Sequence, residues 1–177
     1  MKLQRSAGGA IAGSLAAAVW AAQQPLDKRV FECSYDDVEM LGKLVTRGRE
    51  WPLVGLAIHM GNGALFGAVY SQLRPFVPAP PVATGLLAGL AEHAASWPLV
   101  PLVDTRHPAR SDIPALWGNR RALLQATWRH ALFGAALGGI EALVNDRSAD
   151  EPPTIPFSSN GHGSLETAVT VAEAPQS

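Results

Sequence analysis

Glu92 and His93 stand side by side inside "GLLAGLAEHAASWPLVPLV", residues 85–103, a run that is otherwise almost wholly apolar. An acid beside an imidazole can pair with another charge, hold or pass a proton, or help ligate a metal. Each of these roles needs partners from elsewhere in the chain. Two other apolar stretches supply them: one carries His59 and Asn62, the other carries Gln125, Arg129, His130 and Glu141. Ionisable groups in such surroundings cost roughly 2.5 to 3.5 kcal/mol each on insertion into a bilayer, so they are expected to face a protein interior and to be partnered.

Three kinds of chemistry fit this set. Glu92 can pair with Arg129 or with a histidine while the histidines hydrogen-bond across helices, so that the cluster fixes packing. Glu92, His93 and His130 can instead form a proton-linked site, because burial and a neighbouring carboxylate move such groups toward working pH. His59, His93 and His130 can alternatively ligate haem or a transition metal, for which imidazole is a suitable donor. The reading preferred here has no cofactor and no catalytic residue, with the metal or haem site as the alternative.

Positioning falls to four segments near the roughly 20 residues a bilayer core requires: about 6–25, 51–73, 82–103 and 122–144. With four antiparallel helices, His59 and His130 each lie eight positions into their segments, about 12 Å deep at 1.5 Å per residue. His93 lies ten positions before the end of its oppositely directed segment, at about 15 Å from the same side. The three histidines are therefore expected at one level. Every segment also carries glycines four apart: Gly9 and Gly13, Gly63 and Gly67, Gly85 and Gly89, Gly134 and Gly138. Such pairs let helix backbones approach closely in lipid, where apolar burial no longer drives association. Glu92 follows Gly85 by seven residues and so shares its face, which turns the acid inward.

In the first connection, Ser34 with Asp37 three residues on resembles a helix N-cap, and Val38, Leu41 and Val45 share a face, which predicts a short interfacial helix. Pro75, Pro78, Pro80 and Pro81 stiffen the second connection, and Trp51 and Trp117 sit near segment ends. Trp20, Trp97 and Trp128 are expected to be packing or interface residues, and His107 and His162 to be solvated loop residues. The chain after residue 145 turns to Pro, Ser, Gly, Thr and Glu without apolar periodicity, and 146–177 reads as a disordered tail. Residues 1–22 also fit a secretory signal peptide, with Lys2 and Arg5 before an apolar stretch, although a spanning helix is preferred.

Composition excludes several classes. Charged residues make up 16% of the 177, well under the roughly 25% of soluble domains. The formal net charge of -1 and the lack of a basic stripe argue against a nucleic-acid partner, and the single Cys33 excludes an internal disulfide. "GGAIAG" and "GNGALFG" follow no strand and lack the lysine of a phosphate loop. No nucleophile arrangement is present, so the chain does not read as an enzyme. Nine Lys and Arg (Lys28, Arg29, Lys43, Arg47, Arg49, Arg106, Arg110, Arg120, Arg121) fall on one side against four on the other (Lys2, Arg5, Arg74, Arg147), which votes for both termini outside the cytoplasm.

The order His59, Phe66-Gly67 with Tyr70, His93 with Pro98, then "RHALFGAALGGIE" resembles the YagU-type family of small bacterial inner-membrane proteins over roughly 51–144. That resemblance implies a helical integral membrane protein with polar groups between its helices, in the bacterial cytoplasmic membrane, and carries over no binding residue. The expected fold is all-α: a four-helix transmembrane bundle over 1–145 with a short interfacial helix and a disordered tail. Its expected partners are the lipid bilayer and, through the glycine faces, a second copy. A soluble all-helical domain is the remaining alternative.

Overall fold

The computed structural model describes residues 2–145, and the expected tail, together with His162, lies outside them. The described residues form six α-helices and no strand: α1 (Lys2–Val30), α2 (Asp37–Val45), α3 (Trp51–Leu73), α4 (Pro81–Ser96), α5 (Val100–Arg106) and α6 (Arg120–Asn145). Short 3₁₀ turns follow α3 at Arg74–Phe76 and α4 at Trp97–Leu99. Across the molecule the long helices lie in the order α3, α1, α6, α4, with α2 folded back on α3.

Local chemistry explains most boundaries. The side chain of Asp36, rather than the expected Ser34, caps α2 by accepting from the Glu39 N–H at 2.9 Å. Pro52 and Pro81 sit in the first turns of α3 and α4, where a missing N–H costs nothing. Asn119 Oδ1 accepts from the Arg121 and Ala122 N–H groups and opens α6. The span expected over 82–103 is split, because Pro98 and Pro101 lack the N–H groups an unbroken helix would use.

The largest departure is at the first helix, expected to stop near Pro25. It runs on to Val30. Loss of one interior helix bond at proline costs about 3 kcal/mol, but the extra turn carries Asp27 to the face that Trp20 occupies, where both are buried. Asp27 there gains several buried hydrogen bonds, described below, which offset that cost.

Two glycine-lined contacts hold the helices in pairs. A Cβ added to Gly13 would collide with the Gly63 carbonyl, and one on Gly9 with the Gly67 carbonyl, so α1 and α3 run antiparallel at backbone contact. Gly85 stands against Gly134 and Gly138, and Gly89 against the His130 carbonyl, which sets α4 on α6 in the same manner. A third contact of this kind, Gly42 against Trp51 and Gly55 against Val38, presses α2 onto α3. Between the two pairs, α1 and α6 share a core of Ala12, Ala16, Ala17, Trp20, Phe133 and Leu137.

The pairs repeat a pattern. His59, Gly63 and Gly67 in α3 match the spacing of His130, Gly134 and Gly138 in α6, while "GAIAG" in α1 matches "GLLAG" in α4. Each hairpin is a long helix, a short helix and a second helix. Four residues beyond the second glycine, α1 has Ala17 and α4 has His93, so the second hairpin alone pairs two histidines.

Candidate functional site

Arg129 of α6 is fully buried and lies at the centre of an ion cluster that ties three elements together. Its Nε donates to Asp27 Oδ2 and its Nη2 to Asp27 Oδ1, both at 2.6 Å, in the parallel two-bond geometry guanidinium and carboxylate favour. Its Nη1 donates to Asp37 Oδ2 at 2.6 Å and Nη2 also donates to the Tyr35 carbonyl at 3.0 Å. Asp27 accepts further from Gln125 Nε2 at 2.7 Å and from Gln23 Nε2 at 2.5 Å. Asp37 accepts from Trp20 Nε1 at 3.1 Å and from the Tyr35 hydroxyl at 2.5 Å. Burial would push the Asp37 carboxyl up, yet the Arg129 charge and the Tyr35 hydroxyl hold it below its ordinary range. Burial, and then the Asp37 carboxylate, push the Tyr35 phenol well above its ordinary value.

Arg129 therefore pairs with Asp27 and Asp37, which of the two partners expected for Glu92, Arg129 or a histidine, leaves the histidine. Asp27 and Tyr35 fall in the first connection between expected spans, and Asp37 at the start of its short helix, so none of the three is among the expected buried polar residues. One signal for them was available: Asp27 follows Trp20 by seven residues, which places it on the buried face once the helix passes Pro25.

Glu92 pairs instead with His130, whose Nε2 lies 2.7 Å from Glu92 Oε2. The other ring nitrogen, Nδ1, is 2.7 Å from the Ala126 carbonyl. A carbonyl only accepts, so Nδ1 keeps its proton and the Nε2 to Oε2 contact must share one more. The pair is stable as imidazolium and carboxylate, or as imidazole and carboxylic acid; without the shared proton, two lone pairs face each other. His93 packs against His130 at 4.7 Å between ring centroids. Its Nε2 meets Thr127 Oγ1 at 2.9 Å, and that hydroxyl already donates to the Leu123 carbonyl, so Nε2 is the donor. His93 Nδ1 and His59 Nε2 are buried without a hydrogen-bond partner.

These groups surround one cavity of about 350 Å³. α3 contributes His59, Asn62 and Phe66, and α4 contributes Glu92, His93 and Ser96. Trp20 of α1 and His130 and Phe133 of α6 form its floor, while Asp37, Met40, Trp97 and Val100 close it from the connections. It exists because α3 and α4 are the outer helices and do not pack along their length; the Tyr70 hydroxyl, donating to the Pro81 carbonyl at 3.3 Å, ties them only at one end. Glu92 is half-buried, so one side of the proton-sharing pair stays accessible.

Of the seven polar residues grouped from the sequence, His59, Asn62, Glu92, His93 and His130 line the cavity. Asn62 is exposed at its edge. Arg129 lies in the ion cluster, and Glu141, although buried, accepts from Asn145 Nδ2 near the far end of α6. The three histidines share the cavity without forming a trio: the Trp20 ring stands 5.0 Å from His59 and 4.7 Å from His130. Among the described residues, no group of three or more His, Cys, Asp and Glu side chains is placed to hold a metal ion. His107, expected to be solvated, is buried. Its Nδ1 accepts from the Ala109 N–H and its Nε2 donates to the Met40 carbonyl, which locks the loop before α6 onto α2.

The chain was compared with family models, with curated proteins and with solved structures. Nothing matches in any of the three. The function must be argued from the cavity itself.

Proposed function

We propose that this protein is a membrane-embedded helical bundle whose cavity binds a small, mainly apolar molecule at the proton-sharing His130–Glu92 pair. Support for the membrane comes from two helical stretches, Trp51–Phe76 and Pro81–Arg106, that are long and apolar enough to cross a bilayer. Only 28% and 11% of their apolar windows are buried, so they are not core helices of a soluble fold. Leu53, Leu65, Val69, Leu87, Leu99 and Leu102 on these stretches are all exposed, which in water would be a costly surface. α1 and α6 carry polar groups that lower their hydropathy, and those groups pair inward, so on this reading they span as the shielded central helices of a four-helix bundle. Small residues at the helix contacts fit assembly in lipid. The likeness of residues 51–144 to YagU-type proteins accords with a bacterial cytoplasmic membrane.

The observation that carries the functional half is the division of labour among buried charges. Arg129, Asp27 and Asp37 satisfy one another and hold the fold, whereas Glu92, His130, His93 and His59 gather on an aromatic cavity and leave two ring nitrogens free. A packing cluster has no need of an accessible acid or of unpartnered imidazoles. Between the outer helices the cavity faces the bilayer, so ligand enters sideways from lipid while the pair gains or loses its proton.

Reconstitution in liposomes with a trapped pH dye tests this. Wild type should carry a proton flux under an imposed gradient, and Glu92→Gln should abolish it while retaining helical circular dichroism. A flux from wild type that Glu92→Gln leaves unchanged sinks the assignment of the pair, and complete release by alkaline carbonate washing sinks the membrane reading.

A further inference from the structure

We infer that the ligand of this cavity is a lipophilic organic monocation, a protonated amine or quaternary onium, which competes with a proton for the site; the inference rests on the binding reading above. Two observations carry it. The first is charge. With His59 and His93 neutral, the cations around the cavity and its floor are Arg129 and the imidazolium of His130, while the carboxylates are Asp27, Asp37 and Glu92. One negative charge is left over, in a place where an unbalanced charge is expensive. A proton on Glu92 or on His59 cancels it, and so does a bound monocation. A second anion would double it.

The second observation is the lining. Trp20, Tyr35, Phe66, Trp97 and Phe133 present aromatic rings to the same space as Glu92, and aromatic faces attract desolvated cations. Arg129 already lies 5.4 Å from the Tyr35 ring, so the protein itself seats a cation against one of these rings. A cavity of about 350 Å³ lies at the small end of the roughly 300 to 1,000 Å³ typical of ligand sites, which suits one or two rings and an onium centre.

Proton competition follows from the groups that face His130. From α4 these are Glu92 and His93 and from α2 Asp37, with His59 of α3 on the same cavity, while Asp27 of α1 and Arg129 of α6 lie in the adjoining ion cluster. Acidification adds protons to Glu92, His59 or His93, removes the excess negative charge and releases the cation. Proton and cation therefore exclude one another at the site.

Trp20 and Trp97 provide the readout. The full chain in neutral detergent is titrated with the two-ring cation dimethyldiphenylphosphonium, the two-ring anion diphenylphosphinate, and neutral diphenylmethane, following tryptophan fluorescence between pH 5 and 8. Dimethyldiphenylphosphonium should quench saturably, more tightly at pH 8 than at pH 5, and diphenylphosphinate should not bind. Glu92→Gln should weaken the cation by roughly tenfold, the scale of one lost charge contact. Trp97→Leu, which leaves every ionisable group in place, should weaken it several-fold. Saturable diphenylmethane binding, with both ions equal or Glu92→Gln unchanged, overturns the cation assignment while the cavity keeps its role in binding. If none of the three probes perturbs the fluorescence, the binding reading fails as well.

Discussion

Arg129 of α6 and Asp27 of α1 are joined by two parallel hydrogen bonds of 2.6 Å, and each residue is almost wholly buried. Removing one partner of such a pair strands the other charge away from water, at a cost of about 3–5 kcal/mol. Arg129→Met, which leaves two carboxylates facing each other, is expected to lose that much in a denaturant titration of the solubilised protein. Asp27→Asn keeps hydrogen-bonding shape and should lose less, about 1.5–3 kcal/mol. Equal stability of both variants and wild type would mean the cluster does not hold the bundle together.

The same cluster sets a pH dependence. Asp37 is held below its ordinary value in the fold, so its contribution is complete above the unfolded carboxylate range, near 3.9, and is lost as pH falls through the lower folded value. Tyr35 is raised, so its contribution is complete below about 10 and is lost as pH rises through the higher folded value. Thermal melts should therefore fall off at both extremes, with Asp37→Asn flattening the acid limb and Tyr35→Phe the alkaline one. An acid limb that persists unaltered in Asp37→Asn assigns it to another group.

Glycine substitutions should divide by location. Gly61 has open space where a Cβ would sit, so Gly61→Ala is expected to be neutral or to stabilise by roughly 0.5–1 kcal/mol through lower chain entropy. Gly13→Ala and Gly134→Ala each drive a methyl into a facing backbone carbonyl, which cannot move aside without separating two helices. Both should destabilise. Melting points of the three variants decide it, and indifference at Gly13 would argue against backbone contact between α1 and α3.

Glu32 ends α1 with a φ of 48°, left-handed, while the Cys33 N–H bonds back to the Lys28 carbonyl at 3.2 Å. Glycine is the residue suited to that position. Its exposed ion pair with Arg121, at 2.8 Å, contributes little. Glu32→Gly should thus raise stability by up to about 1 kcal/mol, and a lower midpoint would show that the ion pair outweighs the backbone strain.

Much of the architecture is written in short-range pattern. Apolar runs of the right length, punctuated by prolines, mark α3 and the start of α4 closely because helix formation there depends on local propensity and on missing N–H groups. The glycine spacing is equally visible, since a residue without a Cβ leaves its mark whatever it packs against. His59, His93 and His130 line one cavity, in keeping with the common level expected from helix rise and antiparallel order.

Partnership was not legible. Whether Glu92 meets Arg129 or His130 depends on how far α6 is rotated against α4, and the Gly89 contact with the His130 carbonyl decides it. The segment expected over about 6–25 falls short of α1 because the gain that carries the helix past Pro25, Asp27 meeting Arg129, comes from 102 residues away. Even the cavity is a tertiary property. The sequence by itself determined helices and their close-packing faces, both of which depend on neighbours within a few residues. Only the packing order α3, α1, α6, α4 decided that two outer helices would stand apart, with Trp20 set between His59 and His130 and the acid left facing the gap.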